Sequence, residues 1–240
     1  MKLTHILFLF IVPFIAQSQS IDSVKLVLGK VAYAKHEAFQ QIPETHANRA
    51  GMYLRKDTFE AFAAMKKEAQ KDGVSLTIIS AARSFNHQKR IWEAKWTGSR
   101  RVGGKNLAEA IPNPKNRAFE ILKYSSMPGT SRHHWGTDID INSLTPFYFE
   151  SGKGQKEYEW LRDNAYDFGF CQVYSEKGED RKNGYEEEKW HWSYVPAARL
   201  LTKFHASYIT AEHLQGFEGS NALSLEEKAK YIQGIAKECK

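Results

Sequence analysis

Apolar positions follow a helical period in some stretches of this chain and strict alternation in others. Residues 21–39 form a polar, helix-prone lead-in. Phe59, Phe62, Ala63 and Ala69 then recur at helical spacing, with Asp57 and Glu60 spaced as a capping box and Gly73 closing the segment. VSLTIIS (74–80) is rich in β-branched residues and predicts a buried strand. FNHQKRIWEAKW (85–96) predicts a second helix, and GQKEYEWLRDNAYDFGF (154–170) a third, ended by Gly169. TDIDIN (137–142) and KWHWSYV (189–195) alternate as strands do. LSLEEKAKYIQGIAKE (223–238) predicts a C-terminal helix. Residues 97–118, rich in Gly, Asn, Pro and basic side chains, read as a long loop, either a binding lid or a floppy insertion. Helices and short strands alternate irregularly, without repeats and without a Gly-rich βαβ fingerprint, so the class expected is α+β.

The N-terminus departs from this pattern. Lys2 precedes an apolar run, 6–16, that is too short to span a bilayer with these flanks. It ends in Ala16-Gln17-Ser18, with small residues where a signal peptidase cuts. Residues 1–18 are therefore expected to be a signal peptide, and no Cys follows that would carry a lipid anchor. No later stretch is apolar enough to cross a membrane. The 240 residues are 42% hydrophobic and 26% charged, ordinary for a folded chain with one main core and unlike a disordered or fibrous one. A net charge of +6 suits an anionic surface or polymer, and export argues against nucleic acid as that polymer. Export also permits a bridge between Cys171 and Cys239, although sequence alone leaves two free thiols equally open.

Three segments carry candidate chemistry. In SRHHWGTDID (131–140), His133 and Asp140 are seven apart, and a turn at Trp135-Gly136 can bring them together. EEEKWHWSY (186–194) supplies His191, with Glu188 three residues before it. Two His and one Asp make a three-ligand set for catalytic zinc that leaves one position for water. Glu188, outside that set, is placed to take a proton from the water and pass it to a leaving amine. Each residue also has a plainer reading: a His packed beside Trp, an Asp paired with a Lys, a solvated acidic run at 186–188. Asp138 shares a strand face with Asp140 and could support a ligand or compete as one. His134 would face away from His133 in an extended segment and is left out of the metal set.

Taken together and in order, SAARSFNHQ (80–88), MPGTSRHHWGTDID (127–140), WLRDNAYDFGF (160–170) and GYEEEKWHWSY (184–194) resemble the VanY-type D-alanyl-D-alanine carboxypeptidases. The resemblance covers about residues 52–200. It implies a hedgehog/D,D-peptidase-like α+β fold, a small antiparallel sheet flanked by helices. It further implies Zn2+ held by His133, Asp140 and His191, with Glu188 as catalytic base. Arg83 would hold the substrate carboxylate or the developing oxyanion, and Gln88 and Ser131 would line the substrate site. Trp190 would be a structural aromatic beside a ligand. This chain departs from the family pattern in three places: Asp138 replaces a frequent Ala, Lys189 a frequent Pro, and Ser193 a common Arg. Glu188 and His191, three apart, point to opposite faces of a straight strand, so Glu188 needs a bend before the strand to reach the metal water.

The expectation is an exported, periplasmic or secreted, monomeric zinc peptidase acting on peptidoglycan stem peptides, with no nucleic-acid partner and no membrane span after signal cleavage. The expected plan is signal peptide 1–18, lead-in 19–51, catalytic domain 52–205 and C-terminal helical extension 206–240. The alternatives are an L,D- or D,D-endopeptidase, a D-Ala-D-Ala dipeptidase, or a zinc-stabilised wall-binding module without turnover.

Overall fold

A computed structural model describes residues 22–240, so the expected signal peptide lies outside the described residues. The described residues begin with a short helix α1 (22–27) and a two-stranded antiparallel ribbon of β1 (Phe39–Gln41) and β2 (Tyr53–Arg55). Helix α2 (Lys56–Lys71) follows β2 directly. Strand β3 (Ile78–Ser80) leads into α3 (Phe85–Trp96), then α4 (Leu107–Ala110), α5 (Pro114–Ile121) and β4 (Asp138–Ile141). Helix α6 (Gly152–Asn164), β5 (Phe170–Gln172), β6 (His191–Tyr194), α7 (Val195–Tyr208) and α8 (Leu225–Ile232) complete the chain. The second sheet has four antiparallel strands in the order β3-β4-β6-β5.

The register of this sheet sorts its residues by chemistry. Ile139 stands opposite Trp192, while Asp138 stands opposite Ser193 and Asp140 opposite His191. Opposed residues share a face. One face therefore presents Ile139 and Trp192 to a core with Phe62 and Met65 of α2 and Leu161 of α6. The other face presents Asp138, Asp140, His191 and Ser193. All four residues of β4 are buried, so the acidic face is covered as well. Trp92, Trp96, Leu107, Tyr185, Phe217 and Ile235 belong to a second core that also takes in Cys171 of β5.

The C-terminal segment is built into that second core. Cys171 of β5 and Cys239 are joined by a disulfide with a Cα separation of 5.7 Å. Ala236 N–H also donates to Val173 O at 2.9 Å. The bridge closes a sequence separation of 68 residues. On the chain-entropy model a loop of that size contributes about 4 kcal/mol. Gly184 and Gly234 meet backbone to backbone here, and a Cβ on Gly184 would lie 2.1 Å from Gly234 O.

Several elements differ from the sequence reading. The capping box at Asp57 is not formed: α2 starts at Lys56 with Arg55 as its N-cap, two residues before the expected cap, and Asp57 instead pairs with Arg55 at 3.1 Å and accepts from Thr58 N–H at 2.7 Å. The helix-prone lead-in is helical only over 22–27, with one 3-10 turn at Tyr33–Lys35, before it becomes β1. Residues 97–118 are not one loop. They hold α4 and the first part of α5, capped by Asn106 and Asn113, with Pro114 in the first turn. Asn caps and a first-turn Pro are helix-start signals that look like loop residues in composition. The helix expected to run to residue 238 stops at Ile232, just before Gly234, and β5 and α7 were not anticipated.

Candidate metal centre

Local turns bring the candidate residues together. His133 lies in a 3-10 turn, Arg132–Trp135, that ends at Gly136 with φ 68°. A Cβ there would lie 2.3 Å from the Phe39 ring, so only glycine fits both the left-handed backbone and the space. This turn reverses the chain into β4 and carries His133 back over Asp140. Glu188 accepts from His191 N–H at 3.2 Å, which forms the bend expected just before β6.

His133, Asp140 and His191 converge, each buried, with their nearest ligand-capable atoms all within 4.8 Å of one another. Asp140 Oδ1 is 3.3 Å from His133 Nε2 and 3.8 Å from His191 Nδ1. Ligands on a tetrahedral zinc, at roughly 2.0–2.1 Å from the ion, stand about 3.3 Å apart. Asp140 Oδ1 is also buried with no hydrogen-bond partner among the described residues. A buried carboxylate oxygen without a donor, flanked by two imidazole nitrogens, fits a cation. The donor set of two imidazoles and one carboxylate is one that zinc takes.

The surrounding groups fix each ring. His133 Nδ1–H donates to Ala81 O at 3.0 Å, which leaves the Nε2 lone pair facing Asp140. Burial, reinforced by Arg83, pushes His133 below the usual imidazole range and keeps it neutral. His191 Nε2–H donates to Asp138 Oδ2 at 2.9 Å, while its Nδ1 lies 2.9 Å from Glu188 Oε2. Burial would lower His191, but the hydrogen bonds to Asp138 and Glu188 outweigh it and push the metal-free imidazole up to about 10. A cation at Nδ1 takes the place of that proton. Burial would raise Asp140, yet His133, His191 and Arg83 hold it down to about 2. Burial raises Glu188, which disposes it to accept a proton.

Asp138 is a partner of His191, on the side of the ring away from Asp140. Its Oδ2 accepts from Arg132 Nε at 2.9 Å as well as from His191, and its Oδ1 accepts from Ser193 Oγ and Thr137 Oγ, each at 2.7 Å. Arg132 is fully buried and donates further to Ser193 Oγ and Thr202 Oγ1, both at 2.8 Å, and lies over the Trp135 ring. Sequence alone leaves open whether Asp138 supports a ligand or competes as one, and gives no sign of the part Arg132 plays. The alternation of TDIDIN did carry the signal that Asp138 and Asp140 share a face.

A cleft of about 390 Å³ opens over this cluster, lined by Arg83, His133, Asp140, Glu188 and His191 among others. Arg83 points Nη2 at Ser80 Oγ (2.8 Å) and at Asp140 Oδ2 (3.5 Å). Gln88 is fully buried one layer behind, where its Oε1 accepts from Arg83 Nη1 at 2.9 Å and its Nε2 donates to Ser126 O at 2.7 Å. Ser131 is buried, its hydroxyl has no hydrogen-bond partner among the described residues, and like Gln88 it is not part of the cleft lining. Trp190 does line the cleft, as do Tyr124, Leu144 and Tyr174, which were not singled out from sequence. Tyr174 packs edge-on against His191, with ring centroids 4.9 Å apart.

Comparison with known proteins gives a consistent picture. The family model described as VanY: D-alanyl-D-alanine carboxypeptidase matches residues 51–197. YodJ of Bacillus subtilis is 31% identical over 153 residues, which are 62% of this chain and 50% of YodJ. A D-alanyl-D-alanine carboxypeptidase of Enterococcus faecalis is 28% identical over 166 residues, 69% of this chain and 54% of that protein. The chain thus spans about half the length of the curated relatives it matches. Among solved structures, VanYB in complex with D-alanine-D-alanine superposes with a TM-score of 0.50 at 25% identity, covering 75% of this chain and 90% of that one. The LdcB LD-carboxypeptidase gives the same score and identity over 82% and 79%.

Proposed function

The chain belongs to the VanY family of D-alanyl-D-alanine carboxypeptidases, and from that premise we propose that it hydrolyses the terminal D-Ala-D-Ala bond of peptidoglycan stem peptides, releasing D-alanine, with zinc as cofactor. The observation that carries this reading is the donor-free Asp140 Oδ1 between His133 Nε2 and His191 Nδ1, with Glu188 at its edge. In this reading His133, Asp140 and His191 hold the ion within a catalytic domain of 52–205. Bound there, zinc supplies a water of lowered pKa and a Lewis acid for the scissile carbonyl.

The chain's own residues do the rest. Glu188, raised by burial, takes the proton of the attacking water on its carboxylate and returns it to the departing D-alanine amine. Arg83 offers its guanidinium to the substrate carboxylate or to the developing oxyanion, while Gln88 and Ser80 hold its plane. Gln88 supports this end of the substrate site from behind the cleft wall, and Ser131 is buried two residues before the ligand His133. Asp138 fixes the His191 ring for metal binding. The disulfide fits an oxidising compartment outside the cytoplasm, as does the apolar leader. The protein acts there as a monomer, and residues 206–240 serve to pack the second core.

The test is mass analysis of products from defined wall peptides, with and without a chelator. The expected result is loss of one D-alanine from a D-Ala-D-Ala terminus, abolished by chelation and restored by zinc. Release of a dipeptide would instead make it a dipeptidase, splitting of cross-linked dimers an endopeptidase, and wall binding without turnover a non-catalytic module. Removal of D-alanine from an L-centre would place it with the L,D-specific enzymes.

A further inference from the structure

The cleft continues well past the ligand cluster, along one wall of α3. Arg83 stands just before the N-terminal end of this helix, and Ile91 and Lys95, one turn apart, line the cleft further along it. From Phe85 to Lys95 the helix rises about 15 Å, ten residues at about 1.5 Å each. An extended peptide advances about 3.4 Å per residue, so this wall can accompany roughly four residues of ligand. At the far end Lys95 and Arg100 both line the cleft. The half-buried Lys95 ammonium bonds the Ser125 hydroxyl, and burial, with Arg100 nearby, pushes it down to about 8. The Arg100 guanidinium is exposed and has no hydrogen-bond partner among the described residues. Neither cation has a carboxylate within 4 Å among the described residues, whereas Lys123 pairs with Glu120 and Lys177 with Glu186. Arg83 is different, since Ser80, Gln88 and Asp140 fix its guanidinium beside the ligand cluster, at the other end of the cleft. Glu188 acts on Lys95 only across the cleft, beyond ion-pair contact, and a partly buried cation with no carboxylate in contact is unfavourable until an anion joins it.

Resting on the peptidase reading above, we propose that Lys95 and Arg100 bind a second carboxylate of the substrate, so that the preferred ligand is an acidic peptide ending in D-alanine with a free carboxylate upstream of the bond that is cut. Two groups of a stem peptide have this chemistry: the second carboxylate of a diamino diacid, and the α-carboxylate of a γ-linked glutamate.

Synthetic pentapeptides ending in D-Ala-D-Ala, with each of these carboxylates amidated in turn, separate the two sources. The full zinc-loaded chain is assayed for kcat/KM on them and for Kd with the matching tetrapeptide products, which need no turnover. Amidation at one of the two positions is expected to lower kcat/KM about tenfold and to weaken product binding by a similar factor, and the sensitive position identifies the carboxylate. Lys95→Met, and separately the exposed Arg100→Met, is expected to bring the acid-to-amide ratio close to one. Discrimination in product binding without any turnover would keep the subsite and remove the peptidase reading. Equal binding of acid and amide, or no binding of either, would overturn the subsite however fast the peptides are cut.

Discussion

Glu188→Gln is expected to lower kcat on a D-Ala-D-Ala-terminated peptide about 10³-fold while zinc stays bound at one ion per chain. The amide keeps the size of the carboxylate and can still meet His191 Nδ1, which lies 2.9 Å from Glu188 Oε2 in the metal-free cluster. It cannot carry a proton between water and leaving group, and general acid–base catalysis of this kind is worth about 10²- to 10⁴-fold. The three residues proposed to hold zinc are untouched, so metal content should not fall with activity. Single-turnover assays together with elemental analysis separate the two effects. Turnover within a factor of about two of the parent would remove Glu188 from the role of proton carrier.

Asp138→Ala is expected to be the most damaging substitution for stability and metal affinity together. The Arg132 guanidinium, fully buried, would lose its carboxylate partner. Removing one member of a buried ion pair costs about 3–5 kcal/mol. His191 would lose the acceptor that fixes its Nε2–H, and such a loss weakens metal affinity about 10- to 100-fold. Asp138→Asn retains the shape and some of the hydrogen bonds, so it should lose less stability than Asp138→Ala while still weakening zinc. Denaturant unfolding of the metal-free proteins and competition with a chromophoric chelator measure the two quantities.

The pH dependence has a definite sign. Burial would raise Asp138, but Arg132 and His191 outweigh it and hold the carboxyl well below the usual range. A carboxyl depressed in the folded state contributes stability that is complete above its unfolded value, about 3.9, and is lost as pH falls through the folded value. Asp140, held down to about 2, adds to the same window. The metal-free parent should therefore lose stability below about pH 4, and Asp138→Ala should show a shallower acid limb. A loss under about 1 kcal/mol at neutral pH with unchanged zinc affinity would contradict the part given to Asp138.

What could be read from sequence divides along physical lines. The 85–96 helix was legible to the residue because Ser84 caps it and its apolar side chains recur at helical spacing. The face shared by Asp138 and Asp140 followed from strict alternation in β4. Spacing alone left plainer readings of His133, Asp140 and His191 open; the family resemblance implied their convergence, and the structure brings these three together. Long-range pairings were not legible. The Cys171–Cys239 bridge depends on the C-terminal chain packing beside β5, which no local pattern encodes. The Arg132–Asp138 pair, tied through Arg132 to Ser193, is a network that only the folded register reveals. Gln88 and Ser131 were expected to line the site, but both are buried behind the cleft surface, Gln88 because it packs against the inner side of Arg83. Lys95 was hidden because a lysine late in a helix reads as solvated until Ser125 is seen beside it.

The most direct measurement is anomalous diffraction at the zinc edge from crystals of the full chain grown with zinc. A single peak about 2.0–2.2 Å from His133 Nε2, Asp140 Oδ1 and His191 Nδ1 is the expected result. A peak ligated by other residues, or no peak within this cluster at full zinc occupancy of the protein, would contradict it.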